Sequence, residues 1–387
     1  MPQGERSSKL QFRSARNAVI ATLLRNEKLS RSELSEITGV SPAAITEVTQ
    51  AFLQRDLLAE LPVRSTGRQR GRPTIQLELQ ASHAYFVGVS ITQPETAMVI
   101  TDLRGQVLEH LDFGTPREPN ALAELAKKSL STLLRGSGIP RSRVLGVGVT
   151  ITGMVNAEEG ICRYSAALGW RDVPLARLME KALRMPAWVD NDANAIAVGE
   201  KFFGRAREME NFTSIILGPT IGSAHYMHGT LYRGHDDSAG EIGHITIDPK
   251  GEICRCGRHG CLDTIAGGTA LLAAAKKEGL AVSNMRELEE LAQRGNTKAT
   301  KLLRSAGNGL GLAMAMVVHL NNPQSVLLID VEGFDQGVFR TAARQAFENN
   351  VLLRFLNSTQ INFSNAEPSL LARSAASIAA FEYLNSI

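Results

Sequence analysis

The chain has 387 residues, of which 43% are hydrophobic and 21% charged, and its formal net charge is +3. One hydrophobic core rarely organises a chain of this length, so we expect two or three domains. No uncharged apolar stretch is long enough to predict a membrane span, and the early charges leave no apolar signal core, so we expect a cytoplasmic protein without membrane insertion.

Positive charge is concentrated in the first 80 residues. They hold twelve Lys and Arg against eight Asp and Glu, whereas the remainder holds thirty against thirty-one. Four arginines fall within residues 61–77, where there is no acidic residue. A basic segment attached to a neutral body predicts a polyanionic partner for that segment alone.

Three short helices are predicted before residue 55. Apolar residues at helical spacing indicate the first at residues 13–26. The sequence Ser30-Arg31-Ser32-Glu33 has the spacing of a capping box that opens a second helix, which ends at Gly39. Ser41-Pro42 places a capping serine and an N1 proline at the start of the third. This order predicts a helix-turn-helix with its third helix in the major groove of DNA.

The predicted DNA-reading surface combines the outer face of the third helix with an arginine-rich loop. Two predicted strands, Leu57–Leu61 and Ile75–Leu79, flank that loop and make it a wing, whose tip would enter a minor groove. The alternative is a helical bundle with a solvated basic loop, and the wing and the uneven charge favour DNA binding. The expected DNA contacts are Ser41, Ala43, Ala44, Thr46, Glu47, Gln50, Arg68, Arg70 and Arg72.

From about residue 82 the pattern becomes strands followed by helices, and this succession occurs twice. It predicts two α/β lobes with a cleft between them. Asp190-Asn191-Asp192 stands where a predicted strand ends and a helix begins, a place where polar side chains point into the crevice of an α/β lobe. We expect a winged helix-turn-helix domain at residues 1–81, a first lobe at 82–190 completed by a helix at 369–387, and a second lobe at 191–368.

Three of the four cysteines, Cys254, Cys256 and Cys261, fall within eight residues, and His244 precedes them by ten. Three thiolates and an imidazole complete a tetrahedral zinc shell without an open position, which is typical of a structural site. So few cysteines, mostly in one cluster, argue against a disulfide scaffold. We therefore predict structural zinc in a loop at residues 244–261, with His259 as a loop side chain and not a fifth ligand.

Four motifs stand in an order that resembles the ROK family of sugar kinases and sugar-responsive repressors. They are Gly-Val-Gly-Val-Thr-Ile-Thr-Gly at 146–153, Asn-Asp at 191–192, Gly-Glu-Ile-Gly-His at 240–244, and Cys-x-Cys-Gly-x-x-Gly-Cys-Leu-Asp at 254–263. The resemblance extends from about residue 82 to the end, and the family's repressor branch carries a winged helix-turn-helix in front. It implies an α/β fold, a two-lobed actin/ribonuclease-H-like sugar kinase body.

The resemblance also implies which residues contact sugar. Carboxylates accept pairs of hydrogen bonds from adjacent hydroxyls, so the chemistry of these positions fits a sugar. Two positions depart from the family's pattern: Asp263 stands where glutamate is usual, and Thr152 stands where proline is frequent. The implied sugar contacts are Gly153, Asn191, Asp192, Glu241, His244 and Asp263.

Three loops that bind nucleotide in the family's kinases are altered here. The opening phosphate loop is Ser90-Ile91-Thr92-Gln93-Pro94, without the acidic residue and the glycines of the family's pattern. The second is Gly218-Pro219-Thr220-Ile221-Gly222, and Asp330-Val331 replaces a late glycine pair. Phosphoryl transfer needs a phosphate cradle and a metal, so we expect no ATP binding and no enzyme activity, with Asp192 as a hydroxyl acceptor and not a working base.

The leading hypothesis is a transcriptional regulator of carbohydrate metabolism, expected to be a repressor. It would bind operator double-stranded DNA as a homodimer or dimer of dimers and respond to a sugar or sugar derivative. One alternative is an active sugar kinase that carries a DNA-binding domain, which nucleotide turnover would reveal. The other is a regulator whose body does not sense sugar and answers to a protein partner, such as a transport-system protein.

Overall fold

The computed structural model describes residues 15–62, 75–334 and 337–386. Its helices are α1 Ala15–Arg25, α2 Arg31–Thr38, α3 Pro42–Gln54, α4 Pro119–Ser137, α5 Leu175–Leu183, α6 Asp192–Phe202, α7 Leu262–Ala266, α8 Gly268–Lys277, α9 Met285–Gln293, α10 Thr297–Asn321, α11 Val338–Asn350, α12 Leu353–Leu356 and α13 Leu370–Ser386. Within these ranges, no helix has the length and apolar character that crossing a membrane requires.

The strands fall into two small sheets and two larger ones. They are β1 Lys28–Ser30, β2 Leu58–Pro62, β3 Ile75–Leu79, β4 Tyr85–Ile91, β5 Glu95–Asp102, β6 Val107–Gly114, β7 Val144–Ile151, β8 Met154–Asn156, β9 Ile161–Ser165, β10 Trp170–Val173, β11 Ala187–Asn191, β12 Phe212–Leu217, β13 Ile221–Met227, β14 Thr230–Tyr232, β15 Ser325–Asp330 and β16 Gln360–Asn365.

The amino-terminal helices carry the predicted caps. Ser30 Oγ accepts a hydrogen bond from the backbone N–H of Glu33 at 3.3 Å, and Ser30 N–H donates to Glu33 Oε2 at 2.7 Å. Gly39 ends α2 with a φ of 69°, a conformation that favours glycine. Helices α1–α3 and a three-stranded sheet, in which β3 pairs antiparallel with β1 and β2, have the predicted helix-turn-helix order with the paired strands of a wing. The loop between β2 and β3 lies outside the described residues.

The winged helix-turn-helix packs directly against the next lobe. Its helix α1 shares a hydrophobic cluster with strands β4 and β5 and with helix α13. At the same junction Asn17 Nδ2 donates to Asn385 Oδ1 at 3.3 Å, and Tyr383 Oη lies 3.0 Å from His83 Nε2. Helix α13 therefore contacts both the winged helix-turn-helix and the first large sheet.

The two larger sheets have the same strand order, β6-β5-β4-β7-β11 and β14-β13-β12-β15-β16. In each, the first three strands along the chain form an antiparallel meander. In chain order, the fourth strand of each sheet pairs parallel with the first, and the fifth pairs parallel with the fourth. This repeated topology confirms the prediction of two α/β lobes.

Helices α6 and α13 lie between the two sheets and pack on each other. Helix α6 shares a hydrophobic cluster with β12, β13 and β15. Helix α13 lies on β4 and β7, where a Cβ on Gly88 or Gly148 would stand 1.8 or 1.7 Å from a carbonyl oxygen of α13. The chain crosses from the first sheet to α6 at residues 190–192, so the Asn-Asp motif lies where the two lobes meet.

Candidate functional site

The four predicted metal ligands lie together. The ligand atoms of His244, Cys254, Cys256 and Cys261 are all within 4.8 Å of one another. Cys254 Sγ is 3.5 Å from His244 Nδ1, and Cys256 Sγ is 3.6 Å from Cys261 Sγ. Tetrahedral zinc with Zn–S bonds of ~2.3 Å would separate two sulfur ligands by roughly 3.8 Å. The donor set and its spacing therefore fit a zinc ion.

The loop that holds these ligands is shaped by two glycines with positive φ, Gly257 at 85° and Gly260 at 62°. A Cβ on Gly260 would stand 1.5 Å from the carbonyl oxygen of Asp248, so a larger residue does not fit there. His259 stays outside the ligand group, because its Nδ1 lies 3.0 Å from the carbonyl oxygen of Gly251.

The two ring nitrogens of His244 face different neighbours. Nδ1 lies beside Cys254 Sγ, whereas Nε2 lies 3.8 Å from Glu241 Oε2. A histidine that gives Nδ1 to a metal keeps its Nε2–H as a hydrogen-bond donor. Glu241 is more than half exposed, and its negative charge acts on Asp192. Glu241 therefore lies beside His244 and near enough to Asp192 for its charge to raise the pKa of that carboxyl.

Asp263 links the metal loop to the altered second phosphate loop. Its carboxylate is only 10% exposed, and Oδ1 accepts a hydrogen bond from the backbone N–H of Ile221 at 2.9 Å. Oδ2 lies 3.8 Å from Arg255 Nε. One carboxylate oxygen is thus occupied by the protein backbone, which leaves Oδ2 as the oxygen that a ligand could reach.

Asn191 and Gly153 hold each other in place. Asn191 is the N-cap of α6: its Oδ1 accepts from the backbone N–H of Ala193 at 2.8 Å, and its Nδ2 donates to the carbonyl oxygen of Gly153 at 2.8 Å. A Cβ on Gly153, whose φ is 149°, would stand 2.2 Å from the carbonyl oxygen of Tyr164. Both polar ends of the Asn191 side chain are therefore engaged within the protein.

The carboxylate of Asp192 is held by two short hydrogen bonds. Thr152 Oγ1 donates to its Oδ2 at 2.7 Å, and Ala193 N–H donates to its Oδ1 at 2.8 Å. Burial raises the pKa of Asp192, the two hydrogen bonds counteract this rise, and the charge of Glu241 adds to it. Hydroxyl groups of a ligand that donate hydrogen bonds to Asp192 and Glu241 would stabilise the charged forms of both carboxylates.

A bidentate ion pair next to the Asn-Asp motif joins Asp190 to Arg233. The sequence indicated Asp190 only as part of the polar run at a strand end and indicated no role for Arg233. Arg233 Nη2 lies 2.6 Å from Asp190 Oδ2, and Nη1 lies 3.2 Å from Oδ1. Asp190 is 1% exposed and ends the first sheet, whereas Arg233 follows β14 of the second. The pair therefore joins the two lobes, and two residues 43 positions apart form no motif that the sequence could reveal.

Side chains fill the altered phosphate loops. A Cβ on Gly218 would stand 2.9 Å from Val331 Cγ2, so the valine closes the space beside the second loop. Asp330 is buried and its Oδ1 accepts from the backbone N–H groups of Glu332 and Gly333 at 2.9 and 2.8 Å. Burial, followed by the charge of Asp330, raises the pKa of Glu332. Acidic and bulky groups therefore occupy the positions of the late glycine pair.

The outer face of α3 carries the predicted DNA contacts. Ile45, Val48 and Phe52 on the opposite face are buried. The candidates Arg68, Arg70 and Arg72 lie outside the described residues. The remaining candidates Ser41, Ala43, Thr46, Glu47 and Gln50 are exposed, and Ala44 is partly exposed.

Comparison with known proteins gives consistent matches over most of the chain. The model of the ROK family matches residues 86–368. The xylose repressor of Bacillus spizizenii is 27% identical over 319 residues, which cover 80% of this chain and 80% of that protein.

Two solved structures extend the comparison to the fold. A ROK family transcriptional regulator, a homologue of the E. coli MLC protein, covers 96% of this chain and 98% of its own with a TM-score of 0.79 at 22% identity. A ROK hexokinase from Thermus thermophilus covers 78% of this chain and 99% of its own, with a TM-score of 0.66 at 26% identity. The fold of the regulator structure matches nearly the whole length of this chain, and that of the hexokinase matches a smaller part.

Proposed function

The chain belongs to the ROK family, and on that premise we propose that it is a DNA-binding transcriptional repressor whose two-lobed body binds a sugar or sugar derivative. The observation that carries this proposal is the combination of two parts in one chain. A winged helix-turn-helix with an exposed α3 face is packed onto a body in which Glu241 lies 3.8 Å from His244 and its charge acts on Asp192.

Sugar binding is supported by the polarity of these three side chains. Asp192 and Glu241 provide carboxylate acceptors, and His244 provides a donor at Nε2, which together match adjacent hydroxyl groups. Asp263 would offer its Oδ2. Asn191 and Gly153 would act mainly by fixing the position of Asp192, because their mutual hydrogen bond already uses the Asn191 amide.

Zinc in the Cys and His group would fix the loop that presents this acceptor set. His244 gives one nitrogen to the metal group and the other to the side of Glu241. Asp263 follows Cys261 by two residues, so the same loop sets its position. Metal binding and sugar binding should therefore be coupled.

We propose that the body does not phosphorylate its sugar. Pro219 has no backbone N–H to donate in the second phosphate loop. The backbone N–H of Ile221 in the same loop already donates to Asp263. Val331 fills the space beside Gly218. Asp192 keeps the geometry of a hydroxyl acceptor, but a transferable phosphoryl group would lack its cradle.

Sugar would change DNA binding by changing how the two lobes sit on each other. The winged helix-turn-helix shares a hydrophobic cluster with the first lobe and with α13, so it should move with them as one body. In a homodimer bound to two operator half-sites, such a movement alters the spacing of the two α3 helices. Coupling is reciprocal, so DNA must change sugar affinity by the same factor.

Calorimetry with a panel of hexoses, pentoses and amino sugars tests the ligand half of this proposal. We expect one class of sugar to bind, and the absence of binding at millimolar concentration would contradict it. A coupled assay for ADP release tests the alternative of an active kinase. Sugar-dependent ADP release that is lost in Asp192→Asn would establish the kinase alternative. If no sugar binds, the remaining alternative is a regulator controlled by a protein partner.

A further inference from the structure

We propose that Arg233 is a positioning residue for effector binding, because its pair with Asp190 fixes the crossover between the two lobes. This inference rests on the proposed function. The crossover carries Asp192, on which the charge of Glu241 in the second lobe acts. Arg233 would thus determine whether Asp192 is aligned with the rest of the acceptor set.

The pair has the burial and geometry of a fixed structural contact. Asp190 is 1% exposed and receives both guanidinium nitrogens of Arg233, at 2.6 and 3.2 Å. The Arg233 side chain is 34% exposed, and its removal would leave the charge of buried Asp190 without compensation. A planar guanidinium also restricts orientation more than a single ammonium does, since it binds both carboxylate oxygens at once.

The same carboxylate grips the first turn of α6. Asp190 Oδ1 accepts from the backbone N–H of Asn191 at 2.8 Å and from Asn194 Nδ2 at 3.0 Å. Asp192 lies between these two contacts. From the other side Thr152 donates to Asp192 itself, so the first lobe holds Asp192 directly and the second lobe holds it through Arg233.

The charges of the pair also act on α13, the helix that contacts the winged helix-turn-helix. Glu382 on α13 is close enough to feel the charges of both Arg233 and Asp190. Its neighbour Tyr383 contacts His83, and Asn385 bonds to Asn17 on α1. A change in the pair would therefore alter the charges that act on α13 near its contacts with α1, and loss of Arg233 should weaken the effect of sugar on DNA affinity as well as sugar affinity itself.

Calorimetry on two variants and a matched control tests the proposal. We expect Arg233→Gln to lower sugar affinity by roughly ten- to a hundredfold, by analogy with the loss of a residue that orients a metal ligand. Arg233→Lys should show a smaller loss, because it keeps the charge without the fork. The control is Arg163→Gln, which removes an exposed arginine paired with Asp172 and Glu159 in the first lobe and should leave sugar affinity unchanged. Equal affinities for wild type and both Arg233 variants would overturn the proposal.

Hydrogen exchange without any ligand separates this inference from the proposed function. Amides of residues 192–195 should exchange faster in both Arg233 variants than in wild type and Arg163→Gln, while zinc content stays the same in all four proteins. Unchanged exchange in this segment would overturn the positioning role. If wild type binds no sugar, the proposed effector fails on that result alone, and exchange at the α6 start still decides whether Arg233 positions it.

Discussion

The hydroxyl of Thr152 donates a hydrogen bond of 2.7 Å to Oδ2 of Asp192. In the family's kinases the aspartate at this place is expected to take the proton of the attacking hydroxyl, and proline is frequent where Thr152 stands. A hydroxyl donor on that oxygen stabilises the charged carboxylate and reduces its tendency to take a proton. The Thr152 hydrogen bond therefore counteracts part of the rise in the pKa of Asp192 that burial causes.

Thr152→Val should make sugar binding more sensitive to acid. Burial already raises the pKa of Asp192, and loss of the Thr152 hydrogen bond removes one of the contacts that lower it. Protonated Asp192 accepts hydrogen bonds less well, so sugar affinity should fall on acidification, and the midpoint of this fall should move to higher pH in the variant. Calorimetric titrations across pH check this against Thr132→Val, which changes an exposed hydroxyl on α4. An unchanged midpoint would contradict the role of Thr152.

Asp192→Asn should stabilise the protein at neutral pH while weakening sugar binding. Because the folded-state pKa of Asp192 is raised, folding favours the protonated form, and this contribution is lost as pH rises through the folded pKa. Neutral asparagine removes that loss, so its gain in unfolding free energy should be largest near pH 7 and shrink towards pH 4. Sugar affinity should fall by roughly ten- to a hundredfold, as for a lost hydrogen bond to a charged group worth ~1.5–3 kcal/mol.

Urea unfolding at pH 7 and pH 5, together with calorimetry, measures both effects of Asp192→Asn. A variant that is less stable at pH 7 than wild type would show that the carboxylate is not a burden to the fold. A variant that binds sugar as tightly as wild type would show that Asp192 does not contact the effector.

Cys256→Ser should release zinc, lower stability and weaken sugar binding together. The loss of stability should be on the order of several kcal/mol, because the free energy of metal binding contributes directly to the folding of such loops. Metal content by elemental analysis, thermal unfolding and calorimetry provide the three measurements. The control is His259→Ala, which changes an exposed histidine of the same loop outside the ligand group. Normal sugar affinity in zinc-free Cys256→Ser would make the loop a structural element only.

Gln50→Ala should weaken operator binding without affecting sugar binding. Gln50 is exposed on the outer face of α3, where a side chain in the major groove would contact a base edge. Loss of one such contact costs ~1–3 kcal/mol and relaxes preference at one base pair. Fluorescence anisotropy with operator selected from a random DNA pool checks this against Gln54→Ala, an exposed change at the end of the same helix. Equal losses for both variants would argue against α3 as the reading helix.

Much of this molecule could be predicted because its informative features are local in sequence. The Ser30 and Ser41 caps, the Gly39 turn and the Cys-rich loop each depend on residues within a few positions of one another. The two-lobed body could be predicted from the order of strands and helices and from the family's motifs. The two sheets share a topology without a detectable sequence repeat, because the same strand order can form from dissimilar residues.

Other parts depend on contacts that sequence spacing does not reveal. Strands β8 to β10 were not predicted, since they have three to five residues and several exposed positions, including Arg171 and Asp172. Helices α9 and α11 and strand β16 were missed as well. The two roles weighed for Asn191, helix cap and site residue, cannot be separated by pattern, and the structure shows that its amide serves the cap and Gly153 at once.

Operator affinity measured with and without saturating sugar tests the central claim most directly. The wild-type protein should bind selected operator DNA with a dissociation constant that changes at least severalfold on sugar addition, and sugar affinity should change by the same factor on DNA addition. The change should be absent in Asp192→Asn at sugar concentrations that saturate wild type. An operator affinity that no sugar in the panel alters, in a protein that binds that DNA specifically, would contradict the account.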